Sequence, residues 1–321
     1  MSRNHLGAPT KQRDWATVIS WSFLICLVCS GPFGFVSVAA AALLDDAPRP
    51  NPIVSEPGPA SNADKSGFTL FNPTPPSLMR GFNTDRPDVT ASPYTVDAGH
   101  FQAEFSFVEY TYNHDRGERT DGFSVLPASL RLGILNNLDL QWVLNPYQDI
   151  HTRGSSGSSR NAGFGNTELR ARLNLWGNDG GKTALAVIPF VRFPTGSNGL
   201  GNHHVEGGLI LPLAVQELPG GFDLGTMAEF DVDRNDRNDG YGVDFIHTVT
   251  LGHEVFTKKL NAYVEYVGIA PIRTGRTYLA YFDTGVTYAL SDNVQLDTGI
   301  NIGLSRRADD FTVFVGLSFR L

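Results

Sequence analysis

Cysteine is almost absent from this chain of 321 residues. It occurs only at Cys26 and Cys29, and both residues lie in an apolar stretch near the N-terminus. If that stretch is removed, no thiol remains in the protein. A disulfide scaffold, a zinc site built from thiolates and a cysteine nucleophile are then all excluded.

Charge and long apolar runs are also scarce. Charged residues make up 18% of the chain, which is below the usual share for a globular domain. Beyond the N-terminal stretch, no apolar run is long enough for a second helix that crosses a membrane. The formal net charge is −8, and three basic residues and one acidic residue give residues 1–42 a charge of +2, which leaves −10 for the remainder. We therefore predict no nucleic-acid partner.

The N-terminus has the three parts of a secretory signal. Basic residues precede the apolar stretch Trp15–Cys29, and the small residues Ala39–Ala42 follow it. This arrangement is typical of a signal peptide that is cleaved after export. We predict a signal peptide at residues 1–42, and an uncleaved helical anchor is the alternative.

The next segment, residues 43–80, is rich in proline and has no apolar periodicity. Proline stiffens the backbone and removes hydrogen-bond donors. We predict a disordered periplasmic linker over residues 43–80. A short plug inside a barrel is the alternative, for which the segment offers few apolar side chains.

The C-terminal stretch Phe311–Leu321 is apolar at every second residue and mostly polar or small between them. Successive side chains of a β-strand point to opposite faces, so this strand has one apolar and one wetter face. Its ending, with Gly316, Phe319 and Leu321, resembles the C-terminal assembly signal of bacterial outer-membrane barrels. The resemblance implies the barrel-assembly machinery and outer-membrane lipids as partners.

The same one-sided pattern recurs throughout residues 100–321 and indicates twelve strands. Tight turns alternate with longer, wetter loops, of which Gln148–Ala162 is the longest. Bacterial single-chain barrels have an even number of strands with short periplasmic turns. We therefore predict an all-β, transmembrane, antiparallel up-and-down β-barrel. The strands are expected at about 100–113, 120–133, 138–147, 163–176, 182–193, 203–216, 222–232, 241–256, 260–270, 277–290, 294–304 and 310–321.

The two faces of these strands differ in polarity. Leu138, Leu140 and Trp142, for example, alternate with Asp139 and Gln141. In a membrane barrel the apolar face contacts lipid and the polar face lines the lumen. We assign the faces of all twelve strands in this way.

The alternation fails in two places. It shifts phase between Phe107 and Val108, which predicts a β-bulge. His247 and His253 fall on the apolar side of their strand. We expect both histidines at a rim or groove near the lipid headgroups.

Two short motifs resemble those of a known family. The first is Thr84-Asp85-Arg86-Pro87-Asp88 with Gly99-His100 further on, and the second is Gly163-Phe164-Gly165-Asn166-Thr167. Both resemble signatures of a family of outer-membrane barrels that is named for the meta-pathway of phenol degradation and is often described as transporters. The resemblance covers about residues 80–321. It implies a barrel domain at residues 81–321 in the outer membrane and gives no cargo.

Charged residues on the inward face are the candidate selectivity site. Basic residues cluster on earlier strands and acidic residues on later ones, which would set up a transverse field across a pore. The alternative is that these charges pair with one another inside a closed lumen. Arg170 and Arg172 share a face with the single neighbour Glu168, so we expect one arginine to lack an acidic partner. The full set is Arg131, Arg170, Arg172, Arg192, Glu168, Glu206, Glu229, Asp231, Asp244, Glu265, Asp283 and Asp297.

Other chemistry has weak support. Gly181-Lys182-Thr183 lacks the earlier glycine of a phosphate loop, where Trp176 stands. The adjacent histidines His203 and His204 would point to opposite faces of a strand and have no third ligand at a useful spacing. We predict no cofactor, no metal and no catalytic residue.

The predicted function is a passive outer-membrane channel or transporter for small molecules, including aromatic or hydrophobic compounds if the family name is a guide. One alternative is a structural or surface-interaction barrel with a blocked lumen, in which the long loops act. A second alternative is an outer-membrane lipid hydrolase. That enzyme would need a serine beside a histidine on the lipid face, and His247 has none by local motif.

Overall fold

The computed structural model describes residues 64–197, 199–201, 203–235, 240–272 and 276–321. The predicted signal peptide, residues 1–42, lies outside the described residues, as do residues 43–63 of the predicted linker. Within the described part no helix is long and apolar enough to cross a membrane. A single 3-10 turn is found there, at Pro76–Leu78.

The described residues form fifteen β-strands in one antiparallel sheet that closes on itself. The last strand pairs with the first, from Gln102 opposite Arg320 to Tyr112 opposite Phe311. The sheet is therefore a closed barrel. In chain order the strands are β1 (Phe101–Asp115), β2 (Glu118–Val125), β3 (Ala128–Leu135), β4 (Leu138–Leu144), β5 (Tyr147–Gly154), β6 (Gly157–Gly163), β7 (Thr167–Trp176), β8 (Thr183–Phe193), β9 (Glu206–Leu218), β10 (Phe222–Arg234), β11 (Tyr241–Val255), β12 (Thr257–Ile272), β13 (Leu279–Ser291), β14 (Val294–Gly303) and β15 (Phe311–Arg320).

Three of the barrel strands are interrupted in the middle. The pairs β2 and β3, β4 and β5, and β6 and β7 each form one long strand with a break at residues 126–127, 145–146 or 164–166. Counted in this way, the barrel has the predicted twelve strands. The predicted fold class is confirmed.

Proline explains two of the three breaks. Pro127 and Pro146 have no N–H group to donate to a neighbouring strand, so the ladder stops at each of them. Leu126 also has a positive φ of 55°. At the third break the amide of Gly165 donates to the carbonyl of Asn145 at 2.8 Å. The three breaks thus lie side by side in the sheet.

Beyond this line of breaks, the sheet continues in four strand segments. They are residues 108–115 of β1 together with β2, β5 and β6, and we call them the flap. Within the flap β2 pairs with β1 and with β5, and β5 pairs with β6. The predicted β-bulge is also confirmed, because the register of β1 against β15 shifts between Ser106 and Val108.

The flap contains the segment that we predicted as a long loop. The prediction for Gln148–Ala162 is wrong, because these residues form most of the β5–β6 hairpin, with Gln148 opposite Gly163 and Gly154 opposite Gly157. The glycine and serine content suggested a loop. The hairpin is nevertheless part of the sheet, because β5 forms backbone hydrogen bonds with β2 that do not depend on side-chain type.

The predicted division of the wall into two faces is seen in the exposed fractions of the side chains. Leu140 and Trp142 are each 47% exposed, whereas Gln141 between them in sequence is 3% exposed. His247 and His253 also lie on the outer face, where they stack on Phe245 and Phe222 with ring centroids 5.4 and 4.7 Å apart. The lipid-facing side is therefore apolar with aromatic clusters.

Residues 64–99 do not belong to the barrel wall; we call them the inner segment. Several residues before Arg80 are exposed, and residues 80–98 are mostly buried inside the barrel. Most residues from Thr90 to Ala98 are buried, and Gly133 of β3 lies so close that a side chain there would overlap the carbonyl of Asp97. Residues 81–99, which precede the first predicted strand of the predicted barrel domain, form the central part of this segment. Residues 64–80 of the predicted linker are packed against the barrel, so they are not the free linker that we expected.

The inner segment is held where the tight turns are. Leu70 donates its amide to Ile134 at 2.8 Å, and Lys65 and Arg80 both bind Asp179 in the β7–β8 turn, at 2.7 and 3.1 Å. We call this end of the barrel the tight-turn end and the opposite end the long-loop end. Residues 64–80 are held there by polar contacts, and for this reason the few apolar side chains of this stretch did not reveal it.

Candidate functional site: the inner segment and the charged lumen

The first family motif bridges opposite walls of the barrel. Arg86 pairs with Asp297 of β14 through two hydrogen bonds, Nη2–Oδ1 at 2.7 Å and Nε–Oδ2 at 3.2 Å. Its neighbour Asp85 accepts a hydrogen bond from Nη2 of Arg172 on β7 at 2.6 Å. In the ring of strands, β7 and β14 lie nearly opposite each other. The motif therefore crosses the lumen between two walls.

Two glutamates of the wall bind the backbone of the inner segment. Glu104 of β1 accepts from the amides of Asp85 and Arg86 at 2.8 and 3.2 Å. Glu265 of β12 accepts from the amides of Val89 and Thr90 at 2.7 and 2.9 Å. Buried amides outside a sheet need such partners. Glu265, a predicted selectivity residue, is therefore occupied in holding the inner segment.

Two arginines of the wall bind a backbone carbonyl of the inner segment. Arg131 of β3 and Arg172 of β7 both donate to the carbonyl of Tyr94, at 2.7 and 3.1 Å. Arg131 also pairs with Asp139 at 2.7 Å. The wall therefore binds both amide N–H groups and a backbone carbonyl of the inner segment.

The expectation that Arg170 or Arg172 lacks an acidic partner is wrong. Arg170 pairs with Glu168 at 2.5 Å, and Arg172 pairs with Asp85. The second carboxylate comes from the inner segment. Strand periodicity could not reveal it, because the segment is not part of a strand.

Apolar packing holds the inner segment against a third part of the wall. Ala91 packs with inward side chains of β8, β9 and β10, among them Ile188, Phe190 and Ile210. Tyr94 packs against Ala184 and Ala214. The lumen at this level is thus occupied by the inner segment, with ion pairs on one side and apolar contacts on the other.

Toward the long-loop end the lumen opens into an acidic space, which we call the vestibule. Arg192 lies among four carboxylates there, and Arg276 pairs with Asp233 at 3.1 Å and with Asp244 at 2.5 Å. Sequence reasoning missed Asp233 and Arg276 because both fall in predicted loops. The partners of Arg192 are Glu168 at 3.1 Å, Asp231 at 3.3 Å, Asp233 at 3.4 Å and Glu206 at 3.6 Å.

All twelve predicted lumen residues lie on the inward face, but they divide between two places. Asp283 lies directly opposite Glu265 in the β12–β13 ladder, and Glu229 shares its face of β10 with Asp231. The level of the inner segment includes Arg131, Arg172, Glu265, Asp283 and Asp297. The vestibule includes Glu168, Arg170, Arg192, Glu206, Glu229, Asp231 and Asp244.

The tight-turn end is closed by further contacts. His100 of the first motif lies within hydrogen-bond distance of two carbonyls, of Thr74 at 2.7 Å and of Leu321 at 3.0 Å. Burial alone would raise the pKa of Asp179 in the β7–β8 turn, but Arg80 and Lys65 beside it hold that pKa below its usual range. Gly99 has a φ of 78°, which favours glycine. Gly163 and Gly165 of the second motif lie at the line of breaks.

A protein-family model described as the MetA-pathway of phenol degradation matches residues 84–321. The chain belongs to this family. The match begins at Thr84, so it includes the central part of the inner segment as well as the whole barrel wall. No curated protein sequence matches the chain.

Among solved structures, the barrel is similar to an outer-membrane channel from Pseudomonas putida F1, with a TM-score of 0.53 and 11% identity over 74% of this chain and 100% of that chain. The NanC porin gives a TM-score of 0.44 with 6% identity over 69% of this chain and 100% of that one. The β domain of the Bordetella autotransporter BrkA gives 0.44 with 14% identity over 69% and 98%. The family member described here is thus an outer-membrane β-barrel.

Proposed function

We propose that this barrel is a passive outer-membrane channel for small molecules, narrowed at its tight-turn end by the inner segment. The observation that carries the proposal is a closed barrel whose inward face is polar and charged along its length. In a barrel of eight strands the side chains alone fill the interior. A barrel of twelve strands is wider, so its interior has room for more than the side chains of its wall. The channel from Pseudomonas putida F1 supports the same reading by its fold.

The inner segment makes the passage narrow and selective. It leaves the vestibule open at the long-loop end, where Arg192 and Arg276 are partly exposed to solvent. A solute that enters there meets the acidic wall first and the segment at residues 85–97 next. Diffusion down a gradient needs no energy source, and among the described residues no group of three or more metal-ligating side chains is found.

The cargo that we propose is a small molecule, including aromatic or hydrophobic compounds. The family description refers to phenol degradation, and the inner face has an apolar strip beside the inner segment, at Ile188, Phe190 and Ile210. Phe190 also lies beneath the guanidinium groups of Arg170 and Arg192, 5.8 and 5.5 Å from its ring centre. These side chains are almost fully buried beside Ala91, so an aromatic ring would reach their stacking and polar contacts only when the inner segment shifts.

A structural or surface-interaction barrel remains the second candidate, and the inner segment is the observation that favours it. The segment is held by ion pairs, amide bonds and apolar packing at once. If the inner segment never moves, the lumen is blocked, and the flap is then the part of the protein that interacts with partners. We do not propose the lipid hydrolase, because the ring neighbours of His247 are Phe245, Tyr266 and Tyr278.

Two further parts of the proposal concern the regions outside the described residues and the charged lumen. We propose that residues 1–42 act as a cleaved signal peptide and that residues 43–63 lead from it to the inner segment. N-terminal sequencing of the membrane-extracted protein tests the cleavage.

We also propose that the charged residues of the vestibule determine which ions pass.

The channel function is tested by the swelling of liposomes that contain purified protein. The probes are neutral sugars of increasing size and a small aromatic carboxylate, and liposomes prepared without protein are the control. A channel gives swelling rates that fall steeply with solute size. Rates equal to those of protein-free liposomes for every solute would rule out the channel and favour the blocked barrel.

A further inference from the structure

The outer face of the flap continues the lipid-facing surface of the barrel. Tyr110 and Tyr112 of β1 lie opposite Val313 and Phe311 of β15, which point outward. Tyr112 stacks on Phe311 with ring centroids 5.5 Å apart, and Tyr110 lies 4.8 Å from Phe123 of β2. An uninterrupted outer surface therefore runs from the barrel wall onto the flap.

Polarity changes in steps along this outer face. Next to the line of breaks the paired residues are Val125 and Tyr147, and at the following level Phe123 pairs with Asp149. Beyond it Asp121 pairs with His151, and Arg119 pairs with Arg153 at the far end. Aromatic residues flank the apolar band of outer-membrane barrels at both interfaces. The charged levels of the flap therefore lie where the lipid headgroups begin.

The charged levels line an open concavity of about 610 Å³. Three arginines border it, with side chains that are 49% (Arg119), 52% (Arg153) and 63% (Arg160) exposed. Only two carboxylates accompany them. Asp121 binds Arg119 at 2.8 Å and reaches Arg153 only at 3.8 Å, and Asp149 binds Arg160.

This set of side chains has an excess of positive charge in a protein that is acidic overall. A guanidinium has five N–H donors arranged in a fork that matches phosphate oxygens. The bonds from Arg160 to Asp149 use Nε and Nη2, so the two N–H groups of Nη1 point elsewhere. Exposed ion pairs of this kind contribute roughly 0–1 kcal/mol, and an incoming phosphate can therefore compete for them.

We propose that this concavity binds the phosphate groups of lipopolysaccharide in the outer leaflet. The aromatic level at Phe123 and Tyr110 would pack against the acyl chains, and Arg119, Arg153 and Arg160 would bind the phosphorylated headgroup just above them. The proposal needs the long-loop end to face the cell exterior, as the short turns at the other end predict. It does not depend on whether the lumen conducts.

The test is binding of purified lipid A to the full-length protein in detergent, followed by native mass spectrometry. The probes are bisphosphorylated lipid A, the same lipid after removal of its phosphates, and phosphatidylglycerol. The double variant Arg153→Gln/Arg160→Gln removes two charges from the concavity. The matched control Arg116→Gln/Arg307→Gln removes two exposed arginines from loops at the same end.

We expect the unchanged protein to bind bisphosphorylated lipid A at least about tenfold more tightly than the other two probes. The concavity variant should lose about tenfold in affinity for that lipid, and the control variant should stay within about twofold. Heat-dependent gel migration shows that each variant is folded. Equal binding of the dephosphorylated lipid or of phosphatidylglycerol, or an equal loss in both variants, would overturn the proposal.

A labelling experiment checks the orientation on which the proposal rests. Cysteines placed singly at Ser156, at the tip of the β5–β6 hairpin, and at Asp292, in a tight turn, are treated with an impermeant reagent on whole cells. We expect labelling at Ser156 and protection at Asp292. The reverse pattern would place the flap in the periplasm and would rule out lipopolysaccharide as its ligand.

Discussion

Asp85 is the residue that joins the inner segment most closely to the charged wall. The side chain of Arg172 is 0% exposed, and its carboxylate partner is Asp85. Asp85 also accepts from the amide of Ser92 at 2.9 Å and from Gln141 at 3.1 Å. A buried guanidinium without a counter-charge is costly, about 3–5 kcal/mol when one member of a buried pair is removed.

The first prediction follows from this contact. Asp85→Asn should lower the thermal stability of the barrel by several kcal/mol, because it leaves Arg172 buried without its carboxylate. Asp64→Asn in the same segment is the control. Asp64 is exposed and its hydrogen bonds are with the nearby residue Ser66, so its loss should cost about 0.5 kcal/mol or less. The measurement is the unfolding temperature in detergent, followed by circular dichroism and gel migration. Equal stability of the two variants would contradict the account of the lumen.

For single residues, the sequence predicted which face of the wall a side chain lies on, but it did not predict which residue that side chain binds. Inward or outward position follows from local alternation, so all twelve lumen residues could be assigned a face. The partner of Arg172 lies 87 positions away in a segment without periodicity. For the same reason Glu104 and Glu265 could not be recognised as ligands for backbone amides.

The inner segment and the line of breaks are the two elements that distinguish this barrel from a plain cylinder. The segment reaches as far as β11 and β12, where the hydroxyls of Thr90 and Thr248 are 2.5 Å apart. Both side chains are buried. The contact gives a direct way to test whether the segment lies inside the lumen in the membrane.

The second prediction is a cross-link at this contact. Thr90→Cys/Thr248→Cys should form a disulfide in native membranes on mild oxidation, because the two hydroxyls already touch and the predicted mature chain has no other cysteine. Thr90→Cys/Thr287→Cys is the control, since Thr287 is a buried threonine of β13 that does not contact Thr90. Mass spectrometry of the digested protein detects the bond. Absence of the link in the first pair, or its presence in both, would contradict the position of the segment.

The sequence predicted that the strands exist, but it did not predict that three of them are interrupted. Alternation in β8 to β15 is clear, and the predicted limits differ from the observed ones by a few residues. Pro127 and Pro146 each read as a local irregularity, and nothing in the sequence says that they align across neighbouring strands. The flap hairpin was missed because its pairing with β2 comes from the backbone.

At the scale of the whole molecule, charge is distributed unevenly along the lumen. At the level of the inner segment the arginines are paired with carboxylates, Arg86 with Asp297, Arg172 with Asp85 and Arg131 with Asp139. In the vestibule Glu168, Glu206, Glu229, Asp231, Asp233 and Asp244 outnumber Arg170, Arg192 and Arg276. We expect the field at the entrance to favour small cations over anions.

The third prediction is that Arg192→Gln increases this preference. A unit charge about 10 Å away in a water-filled lumen changes the energy of an ion by about 0.4 kcal/mol. This corresponds to about a twofold change for each ion, and because potassium and chloride respond in opposite directions, to about a fourfold change in their permeability ratio. The reversal potential across a salt gradient measures it. Arg307→Gln, in an outer loop, is the control and should have little effect. The shift should shrink at high salt, where screening is stronger; an unchanged reversal potential at low salt would remove Arg192 from the conducting path.

The central claim is that the barrel conducts and that the inner segment limits the current. Single-channel recording in planar bilayers tests it most directly, with purified protein and the variant Arg86→Gln, which removes the bond between the segment and Asp297 on β14. We predict small, discrete current steps for the unchanged protein and larger steps for the variant. No current from either protein, although both insert and migrate as folded barrels, would contradict the channel and leave a closed barrel that acts through its surface.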